Sequence, residues 1–167
     1  MDCPLVAKSL EEAKTNGLAQ FLITSETEKA KESNSKRKIT TLAWSTYAKM
    51  TDTTKQEALY MFGKSPEGVD PEVIDNELGL IVEKDPKRFL NVVGDDNFKD
   101  KVWLIKMVRE GIVKKNGIGT GFNMTMMFGD TILGNGLEES IAYIKDKENQ
   151  GIYIGLKKAY EAALKAK

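Results

Sequence analysis

"ALYMFGKS", residues 58–65, decides the fold because it admits two incompatible readings. Taken as a phosphate-binding loop, Ala58, four residues and Gly63-Lys64-Ser65 would join a buried strand to a following helix and make the chain α/β. Taken as the end of a helix, the same residues make the chain mainly helical. The flanks select the second reading. A phosphate loop needs small residues, so that backbone N–H groups can close around an anion, whereas Leu59, Tyr60, Met61 and Phe62 are bulky. Upstream, "TDTTKQE" is polar, and Thr53 with Gln56 three residues later spells a capping box. Downstream, Gly63 stands where a helix C-terminus favours glycine, and Pro66 follows. Leu59 and Phe62 are therefore expected in a core, and the Lys64-Ser65 pair in a turn.

Working outward, "ETEKAKESNSKRKITTLAWSTYAKM" (26–50) is the longest helical candidate, with Ile39, Leu42, Ala43, Tyr47 and Met50 at helical spacing and Trp44 widening the stripe. Residues 5–23 are expected to hold a short helix ended by Gly17. Asp70-Pro71 and Asp85-Pro86 each pair an N-cap with a first-turn proline. Asp96 is the expected cap of "NFKDKVWLIKMVRE", which Gly111 closes. Beyond Gly111 the period changes, and Asn116-Gly117 signals a hairpin among two or three short strands. Asn135 is the expected cap of a helix over 137–145, and a last helix over 150–166 carries Ile152, Leu156, Tyr160 and Ala163 on one face. The expected class is α+β and mainly helical, a helical N-terminal two-thirds followed by a helix–β-hairpin–helix module. Residues 1–50 form an N-terminal segment and basic helical arm, 51–95 are short acidic helices, and 96–167 are the C-terminal module, joined with 51–95 in one compact domain.

Composition excludes several function classes. The 25 basic and 25 acidic residues cancel, so no global field points to nucleic acid or membrane. Histidine is absent, which removes the commonest general base and metal ligand. The one cysteine, Cys3, excludes an internal disulfide and fits a reducing compartment. No apolar run approaches the roughly 20 residues that span a bilayer, and the N-terminus lacks a signal-peptide pattern. The expectation is a soluble protein of a cytoplasm that is not an enzyme, with no catalytic residues, metal or cofactor, and no membrane partner.

Carboxylates crowd residues 67–85, and paired carboxylates can bind divalent metals or move protons. Here Asp70 and Asp85 are explained as caps, and the rest fall on solvated faces. Met124, Met126 and Met127 are read as packing beneath the hairpin. The basic residues are clustered instead. Lys29, Lys31, Lys36, Arg37 and Lys38 form a partner-binding arm. A second group, with Lys106, Arg109, Lys114 and Lys115, runs from a helix into a glycine-rich hairpin and could meet phosphates.

From about Leu104 onward, an apolar helix, "REGIVKKNG", a strand ending near Phe128, "GDTILGNG" and a helix ending in "YIKDKEN" resemble the small C-terminal domain of bacterial RecA recombinases. The stretch "IGTGFNMTM" is longer than that family's hairpin, and the family's usual Trp-Tyr pair is missing. That domain contacts duplex DNA, so the resemblance implies DNA contact for Lys106, Arg109, Lys114 and Lys115. With its "KDPKRFLNVV" helix, the chain also looks like the small proteins of large tailed bacteriophages. This resemblance implies a structural, non-catalytic role in a larger assembly, in a virion or its head–tail region and in the host cytoplasm, with other protein subunits as partners. A DNA-binding accessory is the alternative.

Overall fold

The computed structural model describes residues 6–7, 14–15, 21–22, 26–117 and 124–166. They divide into two units, Met1–Leu42 and Ala43–Lys167. The described residues are mainly helical, with a small antiparallel sheet late in the chain, an α+β architecture.

In the first unit, β1 (Val6–Ala7) pairs in parallel with β2 (Phe21–Leu22). Within the stretch 5–23, Lys14 and Thr15 are helical, as expected of a short helix ahead of Gly17, whereas Val6–Ala7 and Phe21–Leu22 are strand. The β-prone run at Phe21 favours a pleated pairing over a helical turn, while Gly17 and Cys3 lie outside the described residues. Helix α1 (Glu26–Ala48) begins in this unit and continues into the second. Its residues from Glu26 to Leu42 are exposed apart from half-buried Ile39. Leu42 therefore does not join the packed stripe, which in the second unit consists of Ala43, Tyr47 and Met50.

The second unit opens with three short helices, α2 (Asp52–Met61), α3 (Pro71–Lys84) and α4 (Pro86–Val93). The cap of α2 is Thr51, whose side chain accepts from the Thr54 N–H at 3.2 Å, so the helix starts before Thr53. Its other end confirms the reading of "ALYMFGKS". The Lys64 N–H donates to the Leu59 carbonyl and the Gly63 N–H to that of Tyr60, both at 3.0 Å, with Gly63 at φ +77°. This is the paired closure in which a glycine takes the left-handed conformation. The buried residues are Ala58, Leu59 and Tyr60; Phe62 is only half-buried, with Arg88 above its ring. Asp70 and Asp85 cap as expected, their side chains accepting from the N–H groups of Glu72 and Arg88 at 2.8 and 2.9 Å.

Helix α5 (Phe98–Arg109) is preceded by Asn97, and the turn before it is held by Asp95 accepting from the Asn97 N–H at 2.7 Å. Asp96 is not the cap, because Asp95 already supplies the turn's carboxylate. A second glycine closure ends α5 at Gly111, φ +73°. The sheet follows in the order β3 (Lys114–Asn116), β4 (Thr125–Phe128), β5 (Thr131–Asn135). Asn116 pairs with Thr125, so eight residues link β3 to β4 and Asn116-Gly117 does not make a two-residue turn. A register shift between β4 and β5 leaves Leu133 as the extra residue, and it enters the core beside Met126. Of the three methionines, Met126 alone is fully buried. Helices α6 (Gly136–Lys145) and α7 (Gln150–Lys165) complete the unit, with Leu156 buried and Ile152, Tyr160 and Ala163 half-buried around it. Asn135 precedes α6 as expected. The tie there is its own N–H, donating to Glu139 Oε2 at 2.8 Å, while its side chain accepts from Thr125.

Two hydrophobic clusters result. One joins α1 to α5 around Leu59, Leu78, Val82 and Phe89; the other joins α5, the sheet, α6 and α7 around Leu104, Met107, Met126 and Leu133. Helix α5 serves both, giving Phe98, Val102 and Ile105 to the first and Leu104 and Met107 to the second.

Gly134 marks the tightest approach. A Cβ there would lie 2.7 Å from the Glu139 Cβ and 2.8 Å from the backbone of Glu139 and Ser140. Gly134→Ala is expected to cost at least the roughly 1–3 kcal/mol of an overpacked site. Gly63→Ala, with open space around it, should cost only the roughly 1–2 kcal/mol of the left-handed conformation. Urea unfolding of both variants checks the order.

Candidate functional site

A group of interlinked polar side chains lies where α2 and the turn after it meet α5. Tyr60 is buried because it sits in the last turn of α2, facing α5, and its hydroxyl donates to Glu67 Oε1 at 2.7 Å. Lys106 and Arg109, three residues apart, share one face of α5 and both reach the Tyr60 ring, at 5.5 and 5.1 Å from its centre. Lys106 Nζ lies 3.4 Å from Glu57 Oε1. The Arg109 guanidinium donates to the Lys64 carbonyl at 3.2 Å and to the Ser65 hydroxyl, and lies 3.4 Å from Glu67 Oε2. Tyr60, Glu67, Lys106 and Arg109, with Glu110 and Tyr160, line a cleft of about 270 Å³.

Burial first, and then the hydrogen bond to Glu67, push the Tyr60 phenol well above its ordinary value. Tyr47, which donates to the Asp75 backbone carbonyl at 3.0 Å, is raised by burial first and then by the nearby Asp75 side chain. The Lys55 ammonium is paired with Asp75 and holds that carboxyl low.

Of the four residues with expected DNA contacts, the structure gathers Lys106 and Arg109 into this charge-paired cluster. Lys114 and Lys115 are exposed on the edge strand β3, at successive positions that point to opposite faces of the sheet. Lysine on an edge strand also blocks unwanted strand pairing. The arm residues Lys29, Lys31, Lys36, Arg37 and Lys38 are all exposed on α1. At 100° per residue they surround the helix axis instead of forming a single stripe. Lys64 pairs with Glu77 at 3.3 Å, so this residue of the loop-like octapeptide links α2's end to α3.

Sequence reasoning passed over Lys101. Its side chain is 5% exposed and its ammonium is held by Asp95 and Glu138. The signal was present, because Lys101 follows Phe98 by three residues and precedes Ile105 by four, which puts it on the core face of α5. Burial works against the charged form, but the two carboxylates outweigh it and the pKa is raised. Asp95 is lowered, chiefly by the hydrogen bond from Lys101. A second lysine, Lys145, ties α6 to α5 through Asp100 and Asn97, each at 2.6 Å.

Comparison of the chain with protein-family models, curated proteins and solved structures finds no match.

Removing both partners of Lys101 strands a buried charge. Asp95→Asn with Glu138→Gln is expected to lower stability by about 3–5 kcal/mol, and adding Lys101→Met to that pair should recover most of the loss, because no buried charge then remains; chemical denaturation measures both. The raised groups also set a pH limit. A proton held more tightly in the folded than in the unfolded state stabilises the fold below the unfolded pKa, and that contribution is lost as pH rises. Tyr47, Tyr60 and Lys101 are all of this kind, so stability should fall above about pH 10. Tyr60→Phe should make that fall shallower in melts recorded across the alkaline range. For Asp95 the sign is opposite, with stability present above the ordinary carboxylate range and lost as pH falls through the lowered value.

Proposed function

We propose that the protein is a non-catalytic assembly subunit that works through protein–protein contacts in a larger complex. Its resemblance to small proteins of tailed phages makes a virion or its head–tail region the proposed setting. The observation that carries this reading is helix α1. From Glu26 to Leu42 it is charged and exposed on nearly every side, with cations all around its axis. A helix that is polar all round buries no stripe of its own, and one role for such a helix is to bridge to another surface. The clustered cations and carboxylates of the second unit support the same view. Around Tyr60 and Lys101 they are engaged with one another and tie helices together.

The exposed Lys114 and Lys115 favour a second reading, contact with DNA. One experiment separates the two. Native fractionation of the source material, quantified by mass spectrometry, is expected to place the chain in a high-mass fraction at fixed stoichiometry. Reversing Lys29, Lys31, Lys36, Arg37 and Lys38 to Glu should release it from that fraction. If the chain is always free, the assembly reading fails. Fluorescence anisotropy with duplex DNA is the counterpart: affinity that falls steeply with salt and is lost in Lys114→Glu/Lys115→Glu establishes the DNA reading.

A further inference from the structure

Where α2, α3 and α4 converge within the second unit, Phe62, Lys64, Ile81, Lys84, Asp85 and Arg88 line an open cleft of about 240 Å³. Its chemistry is divided. Phe62 and Ile81 are half-buried against the first hydrophobic cluster and supply an apolar floor. Three exposed cations come to it from three elements: Lys64 from the turn after α2, Lys84 from the last turn of α3 and Arg88 from the first turn of α4. Asp85 ends α3 and caps α4 without a spacer, which sets Lys84 and Arg88 on either side of one junction.

The three cations are engaged differently. Lys64 lies 3.3 Å from Glu77. The Arg88 guanidinium stands 5.4 Å from the centre of the Phe62 ring, and no acceptor among the described residues takes up its N–H donors. Nor does the Lys84 ammonium have an ion-pair partner among them. In the cleft around Tyr60, by contrast, Lys106 and Arg109 are both met by carboxylates. A guanidinium held over a ring presents a planar fork of donors that matches a carboxylate or a phosphate.

Charge decides between those two anions. Glu77 offsets Lys64, and the Asp85 carboxylate offsets one of the two remaining cations, so one positive charge is left. A carboxylate neutralises it. A phosphate monoester, close to doubly charged at neutral pH, would leave the cleft negative. The volume is below the roughly 300–1,000 Å³ of sites for drug-sized ligands, so the rest of the ligand must be compact. We infer that this cleft binds a small organic carboxylate, its charged group on Arg88 and Lys84 and its apolar body on Phe62 and Ile81. Such a site goes beyond the assembly reading and does not depend on it.

Titration of the isotope-labelled full chain with phenylacetate, followed through backbone amide shifts, tests the site. Saturable shifts are expected at residues 62–64 and 81–88, with a dissociation constant of about 1 mM for so small a ligand. Arg88→Gln and Lys84→Gln should each raise it roughly tenfold, the loss of one charge-assisted hydrogen bond, with an unchanged thermal melt. Lys87→Gln, beside Arg88 but outside the cleft, should leave it unchanged. Benzyl alcohol, which keeps the ring without the charge, and phenyl phosphate should both bind more weakly than phenylacetate. An acetylated peptide ending in a free phenylalanine carboxylate is the second probe. Competition by it identifies a chain terminus as an accepted source of the group, and its exclusion restricts the site to free acids. No saturable shift at tens of millimolar phenylacetate overturns the inference, as does affinity indifferent to Arg88→Gln or equal binding of benzyl alcohol. Tighter binding of phenyl phosphate overturns the choice of a singly charged ligand.

Discussion

A lysine ammonium buried in the wall of α5 sets the terms for the rest of the second unit. Burying an unpaired charge is among the most costly things a fold can do, so Lys101 requires carboxylates on both sides of it. Asp95 comes from the turn before α5 and Glu138 from the first turn of α6. One residue thereby joins the helical half to the sheet-containing half. Helix α5 has the same double role in apolar terms, since its two faces belong to two different clusters. Neither half has a complete core without it. A hydrophobic residue could fill the position of Lys101, but it would not require a particular register between α6 and the Asp95 turn, and this favours specificity as the reason for the charge.

The charge layout has a related logic. The chain is neutral, yet its basic and acidic residues are separated along the sequence. Folding brings much of the second unit's share back together: Lys106 with Glu57, Arg109 with Glu67, Lys64 with Glu77, Lys55 with Asp75. Exposed pairs of this kind contribute little each, but those around Tyr60 share an aromatic ring and a partly buried cleft. In the basic arm, Lys36 pairs with Glu32 along the same helix and so ties it to no other element.

Local signals were legible in the sequence wherever a backbone rule had one solution. Asp-Pro at two helix starts and glycine at two helix ends needed no partner from elsewhere, and all four stand as read. Signals that depend on the remainder of the fold misled. Asn116-Gly117 spells a tight hairpin, but the strands pair further out. Thr53 and Gln56 fit a capping box, but Thr51 takes the role. Leu42 fits the helical period, yet the side of α1 it occupies is not covered. The candidate site was half legible for the same reason. The shared face of Lys106 and Arg109 follows from their spacing, whereas Glu57, Tyr60 and Glu67, which fix their chemistry, lie some forty to fifty residues away in sequence and reach them only through folding.

Asp85 ends one helix and begins the next. Its N–H donates to the Ile81 carbonyl at 2.9 Å while its side chain accepts from Arg88. Pro86 keeps it out of the helical region, at φ −145° and ψ 77°. With no spacer between α3 and α4, this junction has no slack in length. An added or deleted residue would undo two helix ends at once and rotate Phe89 out of the core, so variation in chain length is expected to collect elsewhere among descendants of this sequence.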